Sequence, residues 1–357
     1  MAAAAIAVLL GDGIGPDIVR STVAVLARAA VHHNVELSFT ELPAGLAALR
    51  DHDTTFPADT RDALLAHDGW ILGPISHHSY DFTDKRFINP SSYLRKNFEL
   101  YANIRPAKSL PGVACVRDDI DLVMVRENTE GFYADRNVLD GTSEFRPNQD
   151  LVLSLRVVSR SACLRVARRA SELATRRSGK RLVTAVHKAN VLRQGDGLFL
   201  ECCRQIAAEF PSIRYEELLV DAFSMYLVMR PHTFDVVVTT NMFGDILSDE
   251  AAGLIGGLGL APGLNAGDDR AMAQATHGSA PDIADFHIAN PTAEILSGKL
   301  LLEWMAERVG EPRFSAVAAA VEAALTGTLA DRANLTPDLG GTSTTGDFTM
   351  AVIEKLG

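Results

Sequence analysis

The sequence lacks the features that mark several classes of protein. Its 34 Lys and Arg against 45 Asp and Glu give a net charge of -11. This acidic balance argues against binding to nucleic acids or anionic membranes, which use basic surfaces. There is no run of about 18 apolar residues, so no membrane-spanning helix is expected. The N-terminal residues lack the basic stretch of a signal peptide and are predicted to form a strand.

Cysteine pairs and the common nucleotide-binding motifs are also missing. The 4 cysteines include no Cys-x-x-Cys pair, and the adjacent Cys202 and Cys203 are poor disulfide partners. Reduced, structural thiols and a cytoplasmic location are therefore expected. The glycine loop at residues 11–15 reads Gly-x-Gly-x-Gly, not Gly-x-Gly-x-x-Gly, and no Gly-x-x-x-x-Gly-Lys-Ser/Thr occurs. This loop is interpreted only as a tight turn that lets a ligand approach the backbone.

What the sequence does contain is an alternation of apolar, strand-length runs with helical patterns, which predicts an α/β fold. A chain of 357 residues is long enough for two domains. The predicted strands are residues 5–10, 69–74, 121–126, 151–159, 182–186, 214–220 and 235–240.

One helix is predicted at residues 160–177, where apolar residues recur at i, i+3 and i+4. Its arginines are interpreted as a solvated face: Arg165, Arg168, Arg169 and Arg176. Residues 134–150 are polar and rich in turn formers, and are predicted to be a loop or an arm that reaches a neighbouring molecule.

Two aspartates, Asp245 and Asp249, follow a predicted buried strand and stand one helical turn apart. Like charges at this spacing destabilise a helix by roughly 0.2–0.5 kcal/mol unless something compensates. A divalent cation would compensate, because Mg²⁺ favours one or two carboxylates together with substrate oxygens and water. The alternative is a solvated acidic face. The neighbouring residues are apolar or glycine, which favours a metal site.

Three arginines, Arg95, Arg105 and Arg126, are candidates for binding a small di- or tricarboxylate. A guanidinium group is always charged and grips a carboxylate through two parallel hydrogen bonds. For each arginine alone, a structural ion pair with Asp or Glu is the alternative. With a pair of metal-binding carboxylates beside them, a substrate clamp is favoured.

Further candidates are Lys188, Tyr133 and a segment rich in turn residues at 276–293. A lysine in a cationic, partly buried site can serve as a base, and a tyrosine can supply a proton. The segment contains His277, Asp282 and Asn290; an acid there suits a free ribose 2′-hydroxyl and repels a 2′-phosphate. An ordinary ordered loop is the alternative.

Several of these residues come directly after predicted strands, where α/β sheets bind their ligands. If the strands are parallel neighbours, the residues line one cleft. They are residues 11–15, Arg126, Lys188, Asp221 and Asp245.

Taken together, the motifs resemble those of the isocitrate/isopropylmalate dehydrogenase family, the metal-dependent β-decarboxylating dehydrogenases. The resemblance extends over nearly the whole chain. It rests on Gly11-Asp-Gly-Ile-Gly-Pro16, Leu94-Arg95, Ala102-Asn-Ile-Arg-Pro106, Arg126-Glu-Asn-Thr-Glu-Gly-Phe-Tyr133, Val186-His-Lys-Ala-Asn190, residues 241–262, His277-Gly-Ser-Ala-Pro-Asp282 and Thr336-Pro-Asp-Leu-Gly-Gly341.

The resemblance implies a two-domain α/β fold, a three-layer α/β/α arrangement with a mixed sheet that is not a Rossmann fold. Residues 1–101 and 253–357 would form a discontinuous cofactor-binding domain. Residues 102–252 would form a second domain, with the homodimer interface and an arm at about 134–155.

It also implies a role for each matching residue. Arg95, Arg105 and Arg126 would bind the substrate carboxylates, and Asp221, Asp245 and Asp249 would hold Mg²⁺ or Mn²⁺. Lys188 would be the base and Tyr133 the acid, with Lys188 and Asp221 supplied by the partner chain of a dimer. The residues implied to bind NAD are Ile14, His277, Gly278, Asp282 and Asn290, with Ile14 near the nicotinamide and Asp282 selecting NAD over NADP.

Three departures from the family pattern concern cofactor affinity. Gln274 stands where many members have glutamate. Asp-Phe-His at 285–287 replaces Gly-Lys-Gly, and Pro262-Gly-Leu-Asn265 replaces Pro-Ser-Gly-Asn.

The segment before Arg95 bears on the substrate. It contains Asn89 and Ser91, where isopropylmalate enzymes resemble each other in placing leucines. An alkyl substituent would leave such polar groups unpaired, at about 1–3 kcal/mol each. A malate with a polar or anionic C3 substituent is therefore expected, homoisocitrate or isocitrate, as the likeness to homoisocitrate and NAD-isocitrate enzymes also implies. The alternatives are 3-isopropylmalate and tartrate or D-malate. A non-catalytic regulatory subunit is disfavoured, because such subunits usually lose a metal ligand or the Lys–Tyr pair.

Overall fold

The computed structural model describes residues 2–133, 137 and 142–357. Most of the tip of the expected arm, residues 134–136 and 138–141, lies outside the described residues. The strands are β1 (Ala2–Leu9), β2 (Val35–Glu41), β3 (Gly69–Leu72), β4 (Ala102–Lys108), β5 (Asp121–Glu127), β6 (Glu144–Asn148), β7 (Leu151–Ser154), β8 (Leu182–His187), β9 (Arg214–Leu219), β10 (Val236–Thr239), β11 (Leu264–Ala266) and β12 (Ala271–Ala273). The helices are α1 (Gly15–His32), α2 (Leu46–His52), α3 (Ala58–Ala63), α4 (Pro90–Asn97), α5 (Arg160–Arg176), α6 (Gly195–Glu209), α7 (Val220–Met229), α8 (Asn241–Leu254), α9 (Thr292–Val309), α10 (Pro312–Leu329) and α11 (Thr345–Leu356).

A 10-stranded mixed sheet forms the centre of the molecule, in the order β2-β1-β3-β12-β11-β4-β5-β10-β8-β9. The strands β2, β1, β3 and β12 are parallel to one another, and so are β5, β10, β8 and β9. Because β12-β11, β11-β4 and β4-β5 are all antiparallel, the second group runs opposite to the first. The mixed α/β fold predicted from the sequence is confirmed, with helices around the sheet.

The order of the strands divides the sheet into two halves. The outer half contains β1, β2, β3, β11 and β12, and the middle half contains β4, β5, β8, β9 and β10. Between β1 and β12 the chain passes from one half to the other twice. The first crossing, residues 73–101, carries α4, and the second, residues 240–263, carries α8.

The parallel strands of the middle half explain why several candidate site residues lie at one edge of the sheet. β5, β8, β9 and β10 are parallel neighbours. Arg126 lies at the carboxyl end of β5, and Lys188, Asp221 and Asp245 follow β8, β9 and β10 at the same edge of the sheet. The loop at residues 11–15 follows β1, which runs the other way. The expectation of a single common edge therefore holds for the middle half only.

The apolar residues predicted to share one face of helix α5 form its buried face. The helix spans Arg160–Arg176, as predicted within one residue, and Ser159 caps it by accepting a hydrogen bond from the Ala162 N–H. Its apolar face is buried against β5 and β10. The interpretation of its arginines as solvated is wrong for Arg169, whose side chain is 11% exposed and pairs with Glu307 of α9.

Five strands were missed from the sequence, most of them short or exposed, but β4 is a buried strand of 7 residues. The strand predicted at 151–159 ends at Ser154, and β7 pairs only with β6 in a two-stranded hairpin. The strands β2, β4, β6, β11 and β12 were not predicted, and β11 and β12 have only 3 residues each.

None of the helices in the described part of the chain is both long and apolar enough to span a bilayer. All 4 cysteines are free thiols, and Cys163, Cys202 and Cys203 are buried. Burial raises the pKa of the Cys163 and Cys203 thiols, which makes them poor nucleophiles.

Candidate active site

The candidate site lies on one face of the sheet, over its centre. Asn103 and Arg105 of β4 alternate with Ile104 and therefore share a face, and Asn103 is paired with Arg126 of β5. Asn265 of β11 lies opposite Asn103 on the other side and accepts a hydrogen bond from its side-chain amide at 2.9 Å. The Arg105 Nε in turn donates to Asn103 Oδ1 at 3.0 Å. The buried asparagines thus hold the arginine in place.

Helix α8 brings its carboxylates over this face. It begins at Asn241, directly after β10, and Asn241 Oδ1 accepts from Arg126 Nε at 3.0 Å and Nη2 at 2.6 Å. Gly244 faces the Arg126 side chain so closely that an added Cβ would lie 2.7 Å from the Arg126 Cβ. The absence of a side chain at 244 therefore sets how near the helix comes to the sheet.

The two aspartates meet the arginines directly. Asp245 forms ion pairs with Arg126 and, at 3.2 Å, with Arg105, while Asp249 lies 3.5 Å from Arg105. The Tyr133 hydroxyl donates to the other Asp245 oxygen at 2.9 Å. Five of the predicted site residues thus form one cluster. The repulsion between the aspartates is compensated by the Arg105 guanidinium.

The electrostatics of this cluster follow from burial and charge. Burial favours the neutral form of Asp245, but the charges of Arg126 and Arg105 outweigh it and hold the pKa below its usual range. For Asp249, burial and the neighbouring Asp245 charge outweigh Arg105, so its pKa lies above its usual range. The two carboxylates therefore differ in acidity although both lie on one helical face.

A small cavity of about 160 Å³ opens beside the cluster. It contains the predicted substrate residues Asn89, Ser91, Arg95 and Arg105 together with His277 of the predicted cofactor segment. Its full lining is Pro74, Ile75, Asn89, Ser91, Arg95, Asn103, Arg105, Gln274, Ala275, Thr276 and His277.

Helix α4 presents two of these residues to the cavity. Pro90 occupies its first turn, and Asn89 caps it by accepting from the Ser92 N–H at 3.1 Å. Ser91, which is buried, donates its hydroxyl proton to Gln274 Oε1 at 2.7 Å, and Arg95 Nη2 reaches the same oxygen at 3.4 Å. Asn89 therefore caps the helix and also lines the cavity, together with Ser91 and Arg95.

The glycine loop is fixed by a buried carboxylate. Asp12 accepts hydrogen bonds from the Leu46 N–H, the Ser76 N–H and the Tyr80 hydroxyl, at 2.6, 2.9 and 3.0 Å. Burial, with the charge of Asp12, raises the Tyr80 pKa, so this hydroxyl stays a donor. The loop is therefore a tight turn held by side-chain hydrogen bonds, as its glycines predict.

The predicted cofactor residues lie in two neighbouring groups. The Ile14 N–H donates to Ser279 O at 2.9 Å, which joins the glycine loop to the segment after His277. Gly13 has a φ of 57°, and a Cβ there would lie 2.0 Å from Ser279 O, so only glycine fits. This backbone hydrogen bond places Ile14 close to Gly278, the residue that precedes Ser279.

The second group is built around Asn290. Its side-chain amide donates to Asp338 at 3.0 Å, and its Oδ1 accepts from the Thr292 N–H. Burial lowers the pKa of His277, and the charge of Asp338 opposes the lowering. The buried His277 Nε2 has no hydrogen-bond partner among the described residues. Asp282 is exposed.

Lys188 and Asp221 stand apart from this cluster. Lys188 Nζ pairs with Asp221 at 2.8 Å, and the hydrogen bond from Lys188 lowers the pKa of that carboxyl. The Asp221 side chain is 65% exposed. Among the described residues, Asp221 does not join Asp245 and Asp249 in a group that could hold a metal ion, so one chain alone does not assemble the three predicted metal ligands.

The donor chemistry suits a hard divalent cation, because Asp245, Asp249 and Asp221 offer only carboxylate oxygens. Within residues 2–133, 137 and 142–357, however, no group of three or more His, Cys, Asp or Glu could hold a metal ion. Two carboxylates in one chain and a third from a second copy would fit such an ion.

Sequence reasoning missed residues that are essential to this geometry. Asn103 and Asn265 hold Arg105, Asn241 holds Arg126, and Asp338 holds Asn290. One signal was available, since a polar Asn103 and Arg105 alternate with apolar residues in a buried stretch. The contact between Asn265 and Asn103 joins residues 162 positions apart, and the contact between Asp338 and Asn290 joins residues 48 positions apart. Neither contact leaves a local pattern in the sequence.

Cavity size alone does not locate the site. A cavity of about 1010 Å³ lies on the opposite face of the sheet, where Ile104 and Val123 line it with α5, α9 and α10. Its charged groups are largely satisfied by one another: Glu307 pairs with Arg169 and Arg176, and Glu322 pairs with Lys108 and Lys299 at 2.9 Å each.

Comparison with known proteins agrees with this geometry. A family profile described as "Isocitrate/isopropylmalate dehydrogenase" matches residues 5–352. An isocitrate/homoisocitrate dehydrogenase of Thermus thermophilus is 42% identical over 351 residues, covering 98% of both chains. The 3-isopropylmalate dehydrogenase of Methanothermobacter thermautotrophicus is 39% identical over 351 residues, again covering 98% of both chains. Among solved structures, isocitrate dehydrogenase from Methylococcus capsulatus superposes with a TM-score of 0.85 at 41% identity and covers 99% of both chains. The chain belongs to the isocitrate/isopropylmalate dehydrogenase family.

Proposed function

We propose that this dehydrogenase catalyses the NAD-dependent oxidative decarboxylation of a (2R)-malate with a polar C3 substituent, isocitrate or homoisocitrate. The observation that carries the proposal is the convergence of Ser91, Arg95 and Arg105 on one small cavity beside Asp245. The buried guanidinium of Arg105 is suited to bind a substrate carboxylate, and the hydrogen bond from its Nε to Asn103 fixes its orientation.

The polar wall of the cavity supports a polar substituent. Ser91 and Gln274 are both buried, and their side chains bond to each other. A purely alkyl group placed there would desolvate the Arg95 guanidinium, which also lines the cavity, without offering it a charged partner. The relatives include enzymes named for isocitrate, homoisocitrate and isopropylmalate, so 3-isopropylmalate stays an alternative, as does tartrate or D-malate.

Asp245 and Asp249, with Asp221 of a second copy, are the residues that would hold Mg²⁺ or Mn²⁺. Such a cation, when bound, supplies Lewis-acid polarisation of the substrate oxygens. Arg105 and Arg126 both pair with Asp245 and lower the pKa of its carboxyl. The arginines thus favour the ionised form of this partly buried carboxylate, the form that binds a cation.

Two side chains are proposed to move protons. Lys188 would take the proton of the 2-hydroxyl as the hydride leaves C2 for NAD, and its partner Asp221 keeps the amine in place. After loss of CO₂, Tyr133 would donate a proton to C3. The Tyr133 hydroxyl donates to Asp245 and its ring lies against Arg126, so the proposed acid belongs to the same cluster as the proposed metal ligand.

NAD is proposed as the cofactor because of Asp282. A carboxylate accepts hydrogen bonds from a free ribose hydroxyl and repels a 2′-phosphate. Asp282 is exposed in the segment that carries His277 and Asn290, where the adenosine half would lie.

A homodimer is proposed because two surfaces of the middle half expose apolar side chains. On α7 and α8, Met225, Met229 and Ile246 are 49%, 63% and 60% exposed. The hairpin β6-β7 exposes Phe145 and Leu153 at 48% and 43%. A lone two-stranded hairpin is marginally stable in water, so a second chain is expected to cover it. The same contact would bring Lys188 and Asp221 to the site of the other copy.

A substrate panel tests the proposal. NADH formation is followed with the purified chain, Mg²⁺ and isocitrate, homoisocitrate, 3-isopropylmalate, tartrate or D-malate, first with NAD and then with NADP. The highest kcat/KM is expected for isocitrate or homoisocitrate with NAD. A clear preference for 3-isopropylmalate would refute the polar-pocket argument while leaving the reaction class intact.

The second candidate function is a non-catalytic regulatory subunit of a hetero-oligomeric dehydrogenase. It is disfavoured because the Lys188, Tyr133, Asp245 and three-arginine set is complete. Turnover by the single purified chain excludes this role; absence of turnover with every substrate, together with tight substrate binding, would favour it.

A further inference from the structure

We propose that Arg156 and Asp196, a buried ion pair, are positioning residues for Lys188, the proposed base: the pair fixes the lysine backbone without touching the substrate. The inference rests on the proposed function and deepens it, since it identifies what holds the base in place. Neither member of the pair is a proposed metal ligand, and neither lines the cavity beside Asp245.

Asp196 holds the backbone of the segment that follows β8. Its side chain is fully buried in the first turn of α6, and its Oδ2 accepts from the Lys188 N–H at 2.5 Å. The Lys188 carbonyl oxygen accepts from the N–H groups of Val191 and Leu192, at 3.0 and 2.8 Å. Both backbone polar groups of the lysine are therefore bound within the turn between β8 and α6.

The Lys188 side chain is held at its other end as well. Its Nζ pairs with Asp221, in the first turn of α7, at 2.8 Å. Because the amine stands on a flexible four-carbon stem, a displaced backbone would carry it out of hydrogen-bond reach of the 2-hydroxyl. Asp221 is also a proposed metal ligand, whereas Asp196 is not, so the backbone contact does not depend on the cation.

Arg156 compensates the buried charge of Asp196 and connects it to two further segments. Its Nη2 donates to Asp196 Oδ1 at 2.5 Å, and a buried carboxylate without such a partner would be costly. The same nitrogen donates to Thr240 Oγ1, directly before α8, at 3.4 Å. The guanidinium also lies 5.7 Å from the Phe132 ring centroid and 6.0 Å from that of Phe243, within cation–π range.

These two aromatic neighbours belong to segments that carry other proposed groups. Phe132 directly precedes Tyr133, the proposed acid, and Phe243 lies in α8, two residues before Asp245. The ion pair therefore joins the segment of the proposed base to the segments of the proposed acid and metal ligand. In the shared site proposed above, it would fix what one chain contributes to two sites relative to each other.

A matched ion pair lies at the opposite end of β8 and serves as the control. Asp235 is buried, its Oδ1 accepts from Arg177 Nε at 2.9 Å, and its Oδ2 accepts from the Leu182 N–H at 3.4 Å. It thus combines the same three groups, a buried carboxylate, an arginine and a backbone N–H. It lies at the amino end of the strand, however, and none of its members is a proposed catalytic or binding group.

Replacing both members of each pair separates positioning from stability, because removing both charges together leaves neither one buried and alone. In Arg156→Met/Asp196→Leu the Lys188 N–H loses its acceptor. With the panel substrate of highest kcat/KM, kcat is expected to fall about a hundredfold, the effect of moving a reacting group by about 1 Å. The KM is expected to stay within about threefold, since the proposed carboxylate-binding arginines are unchanged.

A kinetic isotope effect identifies the step that is slowed. With substrate deuterated at C2, the primary isotope effect on kcat is expected to rise in Arg156→Met/Asp196→Leu, because the step that needs the base becomes rate-limiting. Arg177→Met/Asp235→Leu is expected to keep kcat within about threefold and the isotope effect unchanged. If the first double variant does not fold, Asp196→Asn replaces it: its one side-chain oxygen serves where two are used, and kcat is expected to fall about tenfold.

Amide hydrogen exchange provides a readout that does not need turnover. The Lys188 N–H is expected to exchange about tenfold faster in Arg156→Met/Asp196→Leu, or in Asp196→Asn, while the amides of β8 keep their protection. Equal loss of kcat in both double variants, or a loss that follows the folded fraction with an unchanged isotope effect, overturns the proposal. If the unchanged protein turns over no substrate, the proposed function fails, and unchanged exchange at Lys188 would then overturn the positioning role separately.

Discussion

At the scale of single residues, the site depends on charges that compensate one another inside the fold. Arg105 and Arg126 are 8% and 3% exposed, and both contact Asp245. Removing one member of such a buried ion pair leaves the remaining charge buried and uncompensated. The resulting loss of stability exceeds the stabilisation that the intact pair contributes. The carboxylate at 245 is therefore expected to matter for both binding and structure.

Asp245→Asn is expected to lower kcat/KM by more than about a hundredfold and to raise the Mg²⁺ concentration needed for half-maximal rate, because a cation loses a charged ligand. Initial rates over a Mg²⁺ titration check this, with circular dichroism to verify folding. Asp118→Asn, an exposed aspartate, is the control. Turnover within threefold of the unchanged protein would contradict the assignment of Asp245.

Glu294 offers a test of pH dependence. It is fully buried, one carboxylate oxygen accepts from the Ala275 N–H, and burial raises its pKa to about 8. Because the folded state holds this proton and the unfolded state releases it near pH 4.5, the contribution to stability is complete at low pH. It is lost as the pH rises through about 8.

The Glu294→Gln variant should therefore gain stability over the unchanged protein as the pH rises, by up to about 1.4 kcal/mol for each pH unit between roughly 5 and 8. Urea unfolding at several pH values measures the difference in free energy of unfolding. Glu354→Gln, at an exposed position of α11, is expected to show no such slope. A pH-independent difference would mean that Glu294 is ionised throughout.

At the scale of elements, helix α8 illustrates how one position sets the distance between a helix and a sheet. Gly244 and Gly253 both lie in this helix, but only Gly244 faces Arg126. A Cβ at Gly253 would meet nothing within 4 Å. The two glycines are therefore a matched pair for testing close approach.

Gly244→Ala is expected to destabilise the protein by about 1–3 kcal/mol through overpacking and to raise KM, because Arg126 must move. Gly253→Ala is expected to stabilise it by roughly 0.5–1 kcal/mol, the gain of alanine over glycine in a helix. Thermal unfolding and steady-state kinetics check both. Equal effects of the two substitutions would contradict the close contact at 244.

The elements also show what the sequence could and could not predict. Helix α5 and strands β5, β8 and β10 were predictable because their apolar patterns are clear, whereas their order in the sheet was not predicted. The carboxylates of α8 were predictable because they are one turn apart. Strands β11 and β12, with 3 residues each, carry no periodic signal.

Contacts between distant segments were the part that escaped prediction. Ser91 and Gln274 are 183 positions apart, and their hydrogen bond exists only because α4 and the end of β12 meet. The arginines were selected by chemistry, yet the asparagines that hold them were not, since a buried asparagine becomes meaningful only when its partner is known.

At the scale of the whole molecule, one observation favours a shared site: Asp221, which is paired with Lys188, does not join Asp245 and Asp249 in a metal-binding group within the described residues. If each site takes Lys188 from one chain and Asp245 from the other, two different inactive variants can repair each other in a mixed dimer.

Lys188→Ala and Asp245→Asn are expected to be nearly inactive alone. After mixing and reassembly, about a quarter of the original activity should return, because half of the dimers are mixed and each has one intact site. Kinetics before and after mixing, with size-exclusion chromatography to follow the dimer, provide the test. No recovery despite proven mixing would place all catalytic residues within one chain.

The two crossings between the halves of the sheet have a practical consequence for engineering. Residues 73–101 carry Ser91 and Arg95, and residues 240–263 carry Asp245 and Asp249. Turns within one half can change length while the binding groups keep their spacing. An inserted or deleted residue in either crossing would shift a whole set of ligands, so libraries that vary loop length should spare these two stretches.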